Sequence, residues 1–96
     1  MELLLYKIKE TIEKKTKEDI ADGISQDIGE ELQSVAIEIS NHSDKLIANP
    51  KDNSKDFLRA LSGTIFGLLC LYFNQGGGIS SLKTDLQNCE TELENF

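Results

Sequence analysis

The chain reads as a small all-α protein, a bundle of three or four helices with an apolar helix at its centre. Three observations predict this. Apolar residues recur at steps of three and four through residues 17–41 and again through 82–96. Between them lies a charge-free run, Ala60–Phe73, inside an otherwise polar and acidic sequence. Pro50 and the run Gly76-Gly77-Gly78 stand where a helix must stop on either side of it. The 96 residues form one helical domain, 1–96. A domain of this size buries roughly 60–70% of its unfolded surface. With no tryptophan and six aromatics of other kinds, its core is expected to be mostly Leu and Ile.

The first segment, Glu2 to about Lys15, places Leu4 or Leu5, Ile8 and Ile12 on one face of a short amphipathic helix. Thr16 followed by Asp19 is a variant of a capping box, so a new helix can begin there; one helix running straight through is the alternative. From Lys17 to about Asn41, Ile20, Ile24, Ile28, Leu32, Val35 and Ile39 form a continuous stripe. Gly23 and Gly29 weaken that helix or mark a kink. Val35, Ile37 and Ile39 also alternate as a strand would, which leaves a small α+β fold as a competing reading. Asn41-His42-Ser43-Asp44 is rich in turn formers, and Leu46 and Ile47 are expected to plug the core from a short turn.

Asp52, Asn53 and Ser54 offer caps for the central helix, placed at Ser54–Asn74. Phe57, Leu61, Ile65, Leu68 and Tyr72 line one side of it, and the small residues Ala60, Gly63, Gly67 and Cys70 line another. The small side lets a second backbone come close. Three glycines then permit a reversal or a flexible joint. Ser80 or Ser81 can cap a last helix, whose Leu82, Leu86, Cys89, Leu93 and Phe96 fall at heptad spacing. Two heptads do not hold alone, so this helix should pack on the central helix or on another chain.

Composition excludes more than it assigns. The net charge is −7, and residues 18–38 carry seven acids and no base. Nucleic acid binding needs clustered Lys and Arg and is not expected. The one histidine, His42, lies in the polar 41–44 segment and reads as a surface turn residue without a nucleophile or oxyanion donors to serve. No ligand spacing for a metal, no phosphate loop and no cofactor motif is present, so no cofactor, metal or enzymatic activity is expected. Cys70 and Cys89 read as small core residues. No secretion signal precedes them, and the cytoplasm is the expected compartment. A helix of 14 apolar residues reaches about 21 Å, short of the ~30 Å hydrocarbon layer, which argues against a membrane span.

The expectation is therefore a small acidic non-enzymatic interaction module, an adaptor, inhibitor or immunity-type protein, whose partner is another protein or itself. In size, helical class and lack of chemistry it is similar to the small helical immunity proteins of bacteriocin producers and to small acidic phage inhibitors, although the former are often basic. The alternative is a self-assembling structural subunit, and less so a membrane-associated protein. Candidate interaction residues are the acidic ridge Asp27, Glu31, Ser34 and Glu38, and the small-residue side Ala60, Gly63, Gly67 and Cys70.

Overall fold

The charge-free run forms a helix because both its ends are specified locally. Ser54 is its N-cap, with Oγ accepting from the Phe57 amide at 3.2 Å, and Asp52 in turn accepts from the Ser54 amide at 3.0 Å. The helix runs Lys55–Asn74 and ends in left-handed Gly76, φ +88°. The Gly76 and Gly77 amides donate back to the Phe73 and Tyr72 carbonyls, the two bonds of a Schellman motif. A computed structural model describes residues 1–23 and 28–96 and shows four helices and no strand among them. They are α1 (Glu2–Ala21), α2 (Ile28–Ala48), α3 (Lys55–Asn74) and α4 (Ile79–Glu94). The fold is a small all-α bundle in which α3 packs against both α1 and α2, while α4 folds back against α1.

Several boundaries differ from those the sequence suggested. Helix α1 runs through Thr16 without interruption; the Thr16 hydroxyl instead donates to Asn74 Oδ1 at 3.0 Å, tying α1 to the end of α3. The break comes at Asp22–Gly23, where Gly23 takes φ +79°. The Asp22 and Gly23 amides close the last turn on the Glu18 and Ile20 carbonyls. Ile24 and Asp27 lie outside the described residues.

Helix α2 continues through Asn41–Asp44, the expected turn, and stops only at Ala48 before Asn49-Pro50. Polar residues of this kind cost a helix only tenths of a kcal/mol each, about 0.7 at most, so one tertiary anchor outweighs them. Here that anchor is His42. Val35, Ile37 and Ile39 are helical, which removes the strand reading. Ile47 points outward and Leu46 is more than one-third exposed, so neither plugs the core.

The core is small. Ile12 of α1, Phe73 of α3 and Ile79 of α4 form its main cluster, with Val35, Phe57 and Leu71 buried along the α2–α3 line. The two phenylalanines are the best buried of these, at 3% exposure each, so aromatic rings hold more of the core than the composition suggested. Helix α4 begins at Ile79 with Gly78 as N-cap, not at Ser80 or Ser81. The three glycines make a built corner, because the Tyr72 ring lies over Gly77 and its hydroxyl donates to the Gly78 carbonyl at 3.0 Å.

Candidate interaction surface

The acidic ridge and the small-residue side face each other across α2 and α3. Glu31, Ser34 and Glu38 of α2 and Gly67, Cys70 and Leu71 of α3 line one shallow groove of about 250 Å³. Gly67 sits against α2: a Cβ there would stand 3.4 Å from Val35 Cγ2, in side-chain contact. Gly63 faces open space, with nothing within 4 Å of an added Cβ, so only one of the two glycines sits against a neighbouring helix. Ala60 lies half-buried on the same flank as Gly67, and its carbonyl accepts from Thr64 Oγ1 at 3.3 Å. Asp27 lies outside the described residues. Glu31, half-buried, faces Cys70 rather than extending a free ridge. Burial pushes the Cys70 thiol up, and the Glu31 carboxylate adds to that effect.

Glu38 belongs to a polar network that crosses the helix pair. The buried Thr64 hydroxyl donates to Glu38 Oε2 at 3.0 Å, and His42 Nε2 stands 2.7 Å from the same Thr64 oxygen. With the threonine proton directed at Glu38, His42 donates from Nε2, and the ring's second nitrogen is Nδ1. That Nδ1 is buried and has no hydrogen-bond partner. The imidazole stands edge-on to Phe57, ring centroids 5.8 Å apart, and Lys45 Nζ lies 6.0 Å from the centroid of the same Phe57 ring. His42 is thus a half-buried packing residue of the α2–α3 line, not a surface turn residue. The hydroxyl beside it, that of Thr64, is engaged with Glu38, His42 and the Ala60 carbonyl. No group of three His, Cys, Asp or Glu side chains positioned to hold a metal occurs among the described residues.

The more conspicuous surface is one the sequence reading placed inside. Helix α3 is the apolar centre that the sequence indicates, yet only its Phe57, Thr64, Leu71 and Phe73 are buried. Leu58, Leu61, Ile65, Leu68 and Tyr72 recur at steps of three, four, three and four and form an apolar stripe in which Leu58, Ile65 and Leu68 are exposed, Ile65 at 60%, and Leu61 and Tyr72 are half-buried. Phe57, expected on that side, turns instead into the α2 contact. Beyond the stripe, Met1, Leu5 of α1, and Leu82 and Leu86 of α4 close an almost wholly apolar groove of about 560 Å³. On α4, only Ile79 is buried and Leu82 half-buried; Leu86 edges the groove but is exposed, as are Cys89 and Leu93 farther along the helix. Cys89 is therefore exposed rather than a core residue, and both cysteines are free thiols.

The openness can be measured. The chain exposes 7641 Å², whereas a folded monomer of 10.7 kDa is expected to expose about 5,500 Å². Its radius of gyration is 15.8 Å, against roughly 13 Å for a closed domain of about 100 residues. Comparison with protein-family models, curated proteins and solved structures finds no match to this chain.

Proposed function

We propose that this chain is a small non-enzymatic protein-interaction module that works by packing its open helix faces against another protein chain, in the manner of an adaptor, inhibitor or immunity-type protein. The observation that carries the reading is the surface excess: 7641 Å² exposed against about 5,500 Å² expected. Exposed large apolar side chains occur on all four helices, and those of α3 and α4 meet in one apolar groove, the kind of patch that marks an association surface. Polar chemistry in the bundle is taken up in holding α2 to α3, through Glu38, Thr64 and His42. The reading predicts that in a gently opened extract of the native cell the chain migrates in a complex well above its 10.7 kDa mass. Replacing Ile65 and Leu68 by aspartate should release it as a free chain. Elution of the unaltered protein at its own mass would contradict the proposal.

A membrane-embedded α3 is the second reading. The helix has 20 residues, mean hydropathy 1.4 over its most apolar window, and only 22% of that window buried. At 1.5 Å per residue it reaches about 30 Å, the thickness of the hydrocarbon layer. Against it, Lys55, Asp56 and Arg59 occupy the first turns, and Thr64 and Asn74 are hydrogen-bonded to side chains of the charged helices α2 and α1. Flotation with phosphatidylcholine vesicles separates the two: an interaction module stays with the aqueous phase.

A further inference from the structure

We infer that the occupant of the apolar groove is a second copy of this chain, joined in a two-fold dimer in which α4 of each copy lies along the α3 stripe of the other. The inference rests on the interaction reading above and names the partner. Three observations carry it.

The first is area. The excess of about 2,100 Å² per chain falls within the roughly 1,000–2,500 Å² that each protomer of an obligate homodimer buries.

The second is that the chain presents both halves of one joint. The α3 stripe Leu58, Leu61, Ile65, Leu68, Tyr72 has heptad spacing, and so does the α4 seam Leu82, Leu86, Cys89, Leu93, Phe96. Such seams interlock side chain into gap when laid together. The outer half of α4 has no packing partner within its own chain, and Leu93 is 75% exposed. Two surfaces that complement each other within one sequence are what a two-fold contact requires, because each copy then gives and receives the same joint.

The third is charge, which selects the pairing. Asp85 and Glu92 flank the α4 seam on one side and Glu90 on the other, where the one base of that flank, Lys83, is already paired with Glu2 of α1. Two α4 helices laid seam to seam would set these acids against their own copies, and like-charge apposition disfavours that arrangement. From Ala60 to Phe73, α3 carries no charge at all. An acid-flanked seam therefore fits on α3 and not on a second α4. The same acids disfavour lipid as the occupant, since they border the very residues that would enter it.

The test is sedimentation equilibrium of the pure full-length chain, with small-angle scattering on the same samples. The expected result is a dimer of twice the 10.7 kDa chain mass. Ile65→Glu and Leu93→Glu should each give monomers with undiminished helical circular dichroism. Both side chains are mostly exposed, so their replacement leaves the monomer's own packing intact. Mixing the two variants should restore part of the dimer, because one of the two joints is then unaltered. A dimer that survives both substitutions, or a mixture that stays monomeric, overturns the reciprocal arrangement. Unaltered chain that is monomeric with a radius of gyration near 16 Å overturns the second copy as occupant while leaving an open surface for a different partner. Monomer contracted to about 13 Å removes the open surface and the interaction reading with it. Flotation of the unaltered chain with phosphatidylcholine vesicles assigns the stripe to lipid and overturns the dimer.

Discussion

Gly67 and Gly63 lie one turn apart on α3, and replacing each by leucine separates the contribution of the α2–α3 crossing from every other effect of losing a glycine. In a helix interior, leucine is favoured over glycine by about 0.5–1 kcal/mol, and this gain is common to both sites. At Gly63 nothing lies within 4 Å of the added Cβ, so the gain should appear undiminished. At Gly67 an added Cβ would already touch Val35 Cγ2 at 3.4 Å, and the three further carbons of leucine would crowd the α2–α3 seam beside it. Overpacking of that kind costs about 1–3 kcal/mol. The difference between the two variants should therefore be about 1–3 kcal/mol, with Gly67→Leu the less stable. At this chain length each kcal/mol moves the melting temperature by about 4–8 °C. Thermal unfolding followed by far-ultraviolet circular dichroism, with both variants at one concentration, reads that gap directly. Adding Val35→Ala to Gly67→Leu should recover part of the loss, since the two residues share one contact. Equal melting temperatures for the two leucine variants would refute the close approach of α2 and α3 at Gly67.

Thr64→Val keeps the shape of the side chain but removes the partner of both His42 Nε2 and Glu38. It should destabilise the fold by about 1–3 kcal/mol in a denaturant titration. Tyr72→Phe removes the bond to the Gly78 carbonyl and should cost about 1 kcal/mol, with faster amide exchange at the start of α4. Cys89 should react with a thiol reagent well before Cys70, whose thiol is part-buried and held above the usual range by that burial and by Glu31; mass spectrometry of partly labelled protein reads the order. The Lys83 ammonium, 2.5 Å from Glu2, holds the Glu2 carboxyl below its ordinary value of 4.5. A lowered carboxyl pKa contributes stability that is full above that ordinary value and lost as the pH falls through the lowered one. Docking of α4 on α1 should therefore loosen in acid, and Glu2→Gln should abolish that part of the pH dependence of α4 amide exchange.

Legibility in the sequence followed how local the determinants were. The central helix was readable almost to the residue, because Ser54 caps it by its own hydroxyl and Gly76 ends it by its own backbone. The all-α class followed from spacing alone. The Asn41–Asp44 segment was misread because its residues are only mildly unfavourable in a helix. What keeps it helical is His42 meeting Phe57 and Thr64 on another element, which no local pattern reveals. Thr16 misled in the same way, since its true partner is Asn74, 58 residues along the chain.

The site residues divide by the same rule. Step counting put Glu31, Ser34 and Glu38 on one side of α2, and Ala60, Gly67 and Cys70 on one side of α3, but not the fact that the two sides meet. The open stripe was hidden by a sound generalisation, that an apolar helix in a polar chain is buried. Its three-four spacing from Leu58 to Tyr72 was the available signal, and it says that the stripe packs without saying whose helix packs on it.

Amide hydrogen exchange over the outer turns of α4 addresses the dimer most directly. In a lone chain these turns have no tertiary contact and exchange as an isolated short helix would. If a second copy seats α4 on its α3 stripe, protection of residues 85–94 rises with chain concentration and disappears in Ile65→Glu. Exchange at those amides that is unchanged by dilution and by that substitution would contradict the account.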